Sequence, residues 1–520
     1  MSSTSQKRKL IQKKFKNRSY KLKVDALDEI LVFADQFPDD ADGEAIDLLL
    51  DNLQESHESS TVDAESVRGL INRLLGAHNA PEEPTTSASS LAVIDAFLVP
   101  KFGYDAVKKM FNEHTKSLPI HGEAYAKTAL YRERFMLLSQ RVSRAEHFTR
   151  PAFDAEMSQF ENNEISSIQS LISQRGRKWV MGVISQLEDG HFYLEDLSAS
   201  YKITTGFFTE NTIILAEGEM QVNGIFQVIT CGFPPLEDRD KTLKTHSECD
   251  FFGGGTHTKE ETIRLADLER QAVDDTYVIL SDIWLDDEEK VIGKLKTVLD
   301  GFERVKTVPS LFVFMGNFCS RPCNLTFGSY SSLREQFGKL GRMIENHPKL
   351  KENSRFLFIP GPDDAGPSTV LPRCALPNYL TEELRNIIPN AIFSSNPCRV
   401  KFYNQEIVFF RQDLLYRMRR SCLVTPSSEE TEDPFKHLVY TITHQSHLCP
   451  LPLMVQPIIW NYDHSLRLYP TPYTIVLGDK SEQAVCRFGG TTCFNPGSFS
   501  TDSTFVAYRP SNQKVERSAL

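Results

Sequence analysis

The sequence predicts a multidomain α+β protein, and three patterns along its 520 residues support this fold class. Apolar residues recur at helical spacing in the first segment, short strand patterns follow in the middle, and apolar strands alternate with amphipathic helices in the remainder. These patterns predict a small helical bundle, a five-stranded barrel and a layered α/β domain, in that order. About three domains fit the length, since a domain takes roughly 100–200 residues.

Composition argues against several functional classes. The formal net charge is -11, so general attraction to nucleic acid or to an acidic membrane is not expected. No run approaches the ~18 apolar residues of a membrane helix, and no secretory signal is visible at the start. Ten cysteines without CxxC pairs predict reduced thiols in the cytosol or nucleus. His246, Cys249 and His257 lack the spacing of a zinc site, so we expect no metal there.

The N-terminal segment has a sharp division of charge. Nine Lys or Arg and no acid fall within residues 1–23, whereas residues 24–67 contain acids and no Lys or Arg. The basic part is open to three interpretations: a solvated helix face, a nuclear localisation signal or a docking surface. Four groups of apolar residues predict a bundle of four short helices; they begin at Leu10, Leu27, Ile46 and Val67.

Changes of pattern set the predicted boundaries. Residues 81–90 are rich in Pro, Ser, Thr and Glu, which is typical of a flexible linker. The predicted segments are a helical bundle at 1–76, a flexible linker at 77–95, a connecting helical region at 96–174 with a helix at 124–144, a barrel at 175–235, a connection at 236–272, an α/β domain at 273–510 and a tail at 511–520. Residues 423–436 are predicted to be an exposed insertion in the α/β domain.

Five short strands within about 50 residues predict a barrel of the OB type. They are expected at 180–184, 191–196, 201–204, 212–217 and 225–229. Such barrels often bind single-stranded nucleic acid through aromatic and basic residues. Between residues 178 and 230 the only Lys or Arg residues are Lys178 and Lys202, and acids outnumber them. We therefore favour core packing and protein contacts for its aromatic residues, with a single-strand-binding protein as the alternative.

The α/β domain places polar residues directly after its strands. Strands are expected at 277–281, 311–316 and 355–359. In α/β folds, functional sites lie beyond the carboxyl ends of the strands. The polar residues at the predicted strand ends are Asp282, Asn317, Asp363 with Asp364, either His444 or His447, and Asp479.

These strand ends resemble the metal site of a calcineurin-like phosphoesterase that lacks most of its ligands. Two metals would need several carboxylates and imidazoles. Trp284 stands where that site has a His, Asn317 replaces a bridging carboxylate, and Lys480 adds a cation. We predict a degenerate site with no catalytic residue, metal or cofactor, and a residual metal-dependent phosphodiesterase is the alternative. The residues of this degenerate site are Asp282, Trp284, Asn317, Pro362, Asp363, His447 and Asp479.

Short motifs carry a more specific resemblance. They are Phe233-Pro234-Pro235, Phe251-Phe252-Gly253-Gly254, Leu280-Ser281-Asp282-Ile283-Trp284-Leu285, Phe358-Ile359-Pro360-Gly361-Pro362-Asp363-Asp364, Leu371-Pro372-Arg373, Asn396-Pro397-Cys398-Arg399, His447-Leu448-Cys449-Pro450-Leu451-Pro452-Leu453 and Asn495-Pro496-Gly497-Ser498-Phe499. Over about residues 130–510 the chain resembles the B-subunits of eukaryotic replicative DNA polymerases. The predicted helical bundle, similar to the lid of AAA+ proteins, favours the epsilon branch of that family over alpha and delta.

The resemblance implies a non-catalytic accessory role in chromosomal DNA replication in the nucleus. The implied partners are the C-terminal domain of the DNA polymerase epsilon catalytic subunit, the GINS part of the replicative helicase through the bundle, and the other epsilon subunits. DNA contact is expected only weakly or within the complex, and no membrane contact is expected. Arg417, Arg419 and Arg420 are interpreted as a solvated helix end, with DNA contact in the assembled enzyme as the alternative.

Overall fold

The computed structural model describes residues 91–148, 164–173, 176–188, 191–196, 200–203, 209–323, 327–366, 369–423 and 431–520, with scattered positions between 8 and 67. The chain divides into two compact units, Met1–Ala88 and Ser89–Leu520. In the first unit, β1 (Lys21–Leu22) pairs in parallel with β2 (Thr61–Val62). The bundle predicted at 1–76 lies largely outside the described residues, so it stays a prediction.

The start of the second unit corrects one predicted boundary. Residues 77–90 of the predicted linker lie outside the described residues, but residues 91–95 form strand β3 (Leu91–Asp95). All five residues of β3 pair antiparallel with strand 398–402 of the α/β domain, and Ile94 is buried. The assignment of 91–95 to the linker was therefore wrong, because this segment completes the edge of a sheet.

The region predicted at 96–174 is only partly helical. An antiparallel hairpin of β4 (Phe102–Asp105) and β5 (Met110–Glu113) precedes helix α1 (Ala124–Val142). The hairpin forms because alternate aromatic side chains face one side. Phe102 and Phe111 each lie 4.9 Å from the ring of Phe251. The predicted helix at 124–144 is confirmed to within two residues.

The predicted barrel is present and closed. Its strands are β6 (Ile165–Ser166), β7 (Lys178–Glu188), β8 (His191–Glu195), β9 (Ser200–Ile203), β10 (Ile213–Met220) and β11 (Phe226–Gly232). The order is β10-β11-β9-β8-β7-β6, and a further pairing of β10 with β7 closes the ring. Its interior is filled by buried apolar side chains such as Val180, Ile184 and Phe226. All five strands that the sequence predicted are confirmed, and most extend further than predicted.

Two six-stranded sheets form the core of the α/β domain. One has the order β15-β14-β13-β12-β21-β22 and the other β19-β20-β18-β17-β16-β3. Apolar residues of both sheets pack in one cluster between them. Their strands are β12 (Tyr277–Ser281), β13 (Leu311–Met315), β14 (Arg355–Ile359), β15 (Ala391–Phe393), β16 (Cys398–Phe402), β17 (Gln405–Arg411), β18 (Thr474–Gly478), β19 (Ala484–Phe488), β20 (Thr491–Asn495), β21 (Thr504–Arg509) and β22 (Lys514–Ala519).

Helices cover the outer faces of both sheets and occupy the connection before them. The helices are α2 (Arg239–Thr245), α3 (Lys259–Gln271), α4 (Gly293–Arg304), α5 (Phe327–Glu345), α6 (Pro348–Asn353), α7 (Asn378–Ile387), α8 (Leu414–Ser421), α9 (Pro434–His444) and α10 (Phe499–Asp502). Helices α4 to α7 pack on the first sheet, and α8 and α9 pack on the second. Among the helices that the structure describes, none is long and apolar enough to cross a membrane.

Two further predicted boundaries change. The tail predicted at 511–520 contains β22, which pairs along its full length with β21 and therefore belongs to the first sheet. The insertion predicted at 423–436 ends earlier than expected. Helix α9 starts at Pro434, where the missing N–H of proline costs nothing and the Asp433 side chain accepts a hydrogen bond from the Phe435 N–H. Residues 424–430 lie outside the described residues.

Candidate functional site

The carboxyl ends of the central strands meet around Asp282, which follows β12 and is 1% exposed. Its backbone has φ +61°, a left-handed conformation that Asp tolerates better than most residues. One carboxylate oxygen accepts hydrogen bonds from the Ser498 and Ser500 hydroxyls, at 2.8 and 3.2 Å. The other accepts a bond of 3.3 Å from the indole N–H of Trp284. The predicted residues Asp282 and Trp284 therefore bond to each other.

A buried arginine lies between the two sheets at this edge. Arg411 is the last residue of β17 and is fully buried. Its guanidinium donates to the Gly316 carbonyl after β13 and, at 3.1 Å, to the Gly478 carbonyl at the end of β18. It also forms ion pairs of 3.4 Å with Asp282 and 2.7 Å with Asp413. One side chain thus joins the ends of strands from both sheets.

The charge of Arg411 is maintained by its surroundings. Burial lowers the pKa of the guanidinium, but attraction to Asp413 and Asp282 outweighs burial and leaves the pKa raised above its ordinary value. Gly478 provides the space for this side chain, because a Cβ there would lie 3.0 Å from Arg411 Cδ. Arg411 is therefore a permanent cation at the place where the sequence analysis expected the strand ends to converge.

Two further predicted site residues, Asn317 and Asp363, bond to each other. The Asn317 side chain accepts the Asp363 N–H at 3.0 Å and donates to an Asp363 carboxylate oxygen at 3.1 Å. Next to them, the buried Asp364 carboxylate accepts the N–H groups of Phe318 and Gly361, each at 2.7 Å. Burial raises the pKa of Asp364 to about 6 despite these bonds. These groups hold the loops after β13 and β14 together.

The loop at Pro362 is held from its other side by an arginine. Arg373 donates to the Pro362 carbonyl at 2.9 Å and to the Asp364 carbonyl at 2.7 Å. Gly316 allows the loops to approach, since a Cβ there would lie 1.9 Å from the Asp364 carboxylate. Pro362 therefore contributes a backbone acceptor in this packed turn.

Asp479 is buried, and its side chain accepts hydrogen bonds from nearby backbone N–H groups. Its carboxylate accepts the N–H of Leu415 in the first turn of α8 and the N–H of Ser481, both at 2.9 Å. Lys480, the cation that the sequence analysis placed beside the site, is 44% exposed and lies 3.7 Å from Asp413. Lys480 therefore lies at the exposed rim of this edge, and the buried cation is Arg411, which also pairs with Asp413.

Neither candidate histidine bonds to Asp282 in the described structure. His447 is buried, with one ring nitrogen 3.2 Å from Asp463 and the other accepting the Cys449 N–H at 3.0 Å. Burial, reinforced by the charge of Arg134, lowers the pKa of His447 to about 4. His444 instead lies 2.8 Å from the Pro234 carbonyl, where the barrel joins the connection.

Little at this edge is available to a metal. The Asp282, Asp364 and Asp479 carboxylates already accept protein hydrogen bonds, and a guanidinium lies against Asp282. No group of three or more His, Cys, Asp or Glu suited to a metal occurs among the described residues. The carboxylates at this edge accept backbone N–H groups and thereby hold the loops in place. This set of ligands does not fit a pair of divalent cations. Of the three residues considered for zinc, His246 packs its ring edge-on against Phe111, with ring centroids 4.9 Å apart.

Sequence reasoning missed Arg411, Ser498 and Ser500. A signal was present for Arg411, because a lone Arg ends the apolar run Ile407-Val408-Phe409-Phe410. A charged residue at the carboxyl end of a buried strand must find partners or lose its charge. Ser498 lies within the Asn495-Pro496-Gly497-Ser498-Phe499 motif that carried the resemblance.

Two family models match the chain. The model of the OB-fold domain of DNA polymerase epsilon subunit 2-like proteins matches residues 124–235, which hold α1 and the barrel. The model of the B subunit of DNA polymerase alpha/epsilon matches residues 277–486 in the two-sheet domain. A solved archaeal phosphodiesterase covers 47% of this chain and 99% of its own at 12% identity, with a TM-score of 0.26 that supports no conclusion. The barrel, the two-sheet domain and the two family models together identify the class of protein as a DNA polymerase B-subunit.

Individual relatives narrow the class. The B-subunit of DNA polymerase epsilon from Arabidopsis thaliana is 91% identical over 100% of both chains. DNA polymerase epsilon subunit 2 of Bos taurus is 34% identical, covering 92% of this chain and 95% of its own, and that of Homo sapiens is 36% identical, covering 82% and 83%. The chain belongs to the family of DNA polymerase epsilon B-subunits and is an accessory, non-catalytic subunit.

Proposed function

We propose that the chain is the scaffold subunit of the DNA polymerase epsilon complex and acts in the nucleus. In this role it holds the C-terminal domain of the catalytic subunit on its barrel and two-sheet domain. Its N-terminal unit links the polymerase to the GINS part of the replicative helicase. The observation that carries the non-catalytic part of the proposal is Arg411, whose guanidinium lies between the strand ends where a hydrolase would keep metals.

The junction between the barrel and the two-sheet domain supports a scaffold role. The Gln445 side chain exchanges two hydrogen bonds with the backbone of Ile213, at 2.9 and 2.8 Å. Thr209 donates to the Pro450 carbonyl at 3.2 Å, and Arg141 of α1 bonds to the His444 carbonyl at 2.6 Å. Buried polar bonds of this kind fix relative orientation. A partner that spans both domains would therefore meet a preformed surface.

The aromatic residues of the barrel favour protein packing over single-strand binding. Trp179 packs edge-on against Phe148, with ring centroids 5.6 Å apart, so this indole is engaged with the protein. Phe226 is buried in the barrel interior. A stacking platform for bases needs free aromatic faces together with several cations.

Co-expression with the C-terminal domain of the epsilon catalytic subunit, followed by size-exclusion chromatography with light scattering, tests the proposal. We expect a 1:1 complex. Removal of residues 1–88 should leave this complex intact and abolish binding to purified GINS, because the two contacts are assigned to separate units. Separate elution of the full chain and the C-terminal domain would contradict the scaffold role. Loss of the 1:1 complex on removal of 1–88 would contradict the assignment of the two contacts to separate units.

A further inference from the structure

An exposed surface on the second sheet combines cationic and apolar side chains. It is formed by the outer face of α8 and the turn 452–456, and we call it the Arg–Met patch. Its members are Tyr416, Arg419, Arg420, Met454 and Val455. Met454 is 95% exposed and Tyr416 is 62% exposed, which is unusual for side chains of this size.

Hydrogen bonds hold this patch in place. Arg417 of α8 donates to the Val455 carbonyl at 3.2 Å and to the Gln456 side chain at 2.6 Å, so the turn is tied to the helix. The Arg420 guanidinium lies 5.8 Å from the Tyr416 ring centroid and donates to its hydroxyl at 3.0 Å. The opposite face of α8 is buried through Leu414 and Met418. The outer face is therefore presented on a fixed support.

The patch is positively charged because α8 carries three arginines, Arg417, Arg419 and Arg420. In the part of the chain that the structure describes, Arg417 and Arg420 donate hydrogen bonds to Gln456 and Tyr416. No ion pair is found there for Arg417, Arg419 or Arg420. The chain as a whole carries a formal net charge of -11. A local cationic surface on an otherwise acidic protein attracts an anionic segment of a partner.

We propose that the Arg–Met patch docks an acidic segment of a partner protein that carries at least one apolar side chain. Tyr, Met and Arg are the residue types enriched at protein interfaces. The exposed Met454 and Val455 would gain from burial under an apolar side chain, whereas a phosphate backbone offers them nothing. The inference rests on the proposed function, because it takes the partner from within the polymerase epsilon complex.

The location of the patch agrees with this assignment. Directly after α8, Cys422 forms an isolated bridge with Thr209, and the Thr209 hydroxyl reaches the Pro450 carbonyl that precedes the 452–456 turn. The patch therefore lies beside the junction of the barrel with the two-sheet domain. A partner that spans this junction would reach the patch without a change in the scaffold.

Site-specific photocrosslinking tests the proposal. The full chain with p-benzoylphenylalanine in place of Met454 is co-expressed with the epsilon catalytic subunit, purified as a complex and irradiated. We expect a crosslink to a segment of the catalytic subunit that contains more Asp and Glu than Lys and Arg. A crosslink to a neutral or basic segment, no crosslink to protein, or a crosslink to added oligo(dT) would overturn the proposal. Failure of the complex to form at all would instead overturn the proposed function, and this inference with it.

Charge reversal provides a second, independent readout. The double variant Arg419→Glu/Arg420→Glu should weaken binding of the purified catalytic subunit at least about tenfold, with the loss growing as salt is lowered. The matched control is Arg264→Glu/Arg270→Glu, which reverses two exposed arginines on α3 and should leave the dissociation constant unchanged. For the apolar component, Met454→Ser should weaken binding and Val107→Ser, at an equally exposed site, should not. Equal effects of the patch and control variants would overturn the proposal.

Discussion

Buried arginines join separate parts of the second unit. Arg411 bonds to the ends of β13 and β18, and Arg373 bonds to the carbonyls of the loop after β14. Arg399 donates to four carbonyls from two distant segments, among them Phe251 at 2.8 Å and Arg467 at 2.9 Å. A guanidinium suits this work because it presents five donors in a fixed plane. Arg411 and Arg373 thereby fix the loops at the carboxyl ends of the strands, and Arg399 fixes the segments around Phe251 and Arg467.

Replacement of Arg411 tests this role. Arg411→Met leaves the Asp282 carboxylate buried without its cation and removes one of the donors to the Gly316 and Gly478 carbonyls. We therefore expect a loss of about 3–5 kcal/mol in the free energy of unfolding. Urea denaturation monitored by Trp284 fluorescence measures this free energy. Trp179 and Trp460 are replaced by Phe both in the parent protein and in the Arg411→Met variant. Trp284 is a local reporter because its indole N–H bonds to Asp282.

The matched control is Arg509→Met on β21. Arg509 is 38% exposed in its side chain and lies 3.6 Å from Glu516, so this surface pair should contribute about 0–1 kcal/mol. If Arg411→Met costs no more than Arg509→Met, the guanidinium does not hold the strand ends together.

The buried His447 predicts a dependence of stability on pH. Its pKa is lowered from 6.5 to about 4, first by burial and then by the charge of Arg134. Unfolding therefore takes up a proton between about pH 4 and 6.5, and the free energy of unfolding falls as the pH is lowered through that window. In His447→Gln this uptake should decrease by about one proton, measured as the slope of the free energy of unfolding against pH. An unchanged slope would show that His447 does not titrate in this way.

Asp364 opposes this effect over part of the same range. Because burial raises its pKa to about 6, the folded state takes up the proton first, and the free energy of unfolding falls as the pH rises from about 4 to 6. The net pH profile of the parent protein is therefore shallower than His447 alone would give, and the comparison with His447→Gln isolates the histidine.

At the scale of elements, the edges of the two sheets are completed by segments near the two ends of the second unit. Strand β3 covers β16, and Asp95 accepts the Ser395 N–H at 3.1 Å while the Ser395 hydroxyl accepts the Ala96 N–H at 2.7 Å. At the other end of the chain, β22 covers β21. These contacts explain why both segments are ordered strands although their composition indicated a linker and a tail.

Truncation tests the contribution of β3. A chain that begins at Ser89 should keep the melting temperature of the second unit, whereas a chain that begins at Phe97 should melt at least about 5 °C lower, because it loses a five-residue strand and the burial of Ile94. Differential scanning calorimetry of the two chains makes the comparison. Equal melting temperatures would mean that β3 does not stabilise the sheet.

The local pattern of apolar residues predicted most strands correctly, but it did not predict which side chains contact each other. The five barrel strands and the strands at 277–281 and 355–359 follow from apolar patterning, which is a property of neighbouring residues. The strand-end rule drew attention to Asp282 and Trp284, which bond to each other in the structure. The rule could not predict the contacts of His447 and Asp479, because their partners Asp463 and Leu415 are set by long-range packing. It also did not identify Arg411 as a residue of the site.

At the scale of the whole molecule, the chain combines two compact units. The larger unit fastens a closed barrel to a two-sheet domain through buried polar contacts, among them the Arg134–Asp463 ion pair of 2.5 Å between α1 and the two-sheet domain. A unit whose strand-end region is occupied by its own side chains is suited to binding partners. We propose that Arg411 and its neighbours occupy the position that the metals of a phosphoesterase would take.

Titration calorimetry of the full chain with millimolar Mn²⁺ tests that claim most directly. Because the Asp282 carboxylate is bonded to Arg411, Ser498 and Ser500, we predict no stoichiometric binding and the same heats for the parent protein and Asp282→Asn. Binding of one or two Mn²⁺ per chain that is lost in Asp282→Asn would contradict the claim and reopen the phosphodiesterase alternative.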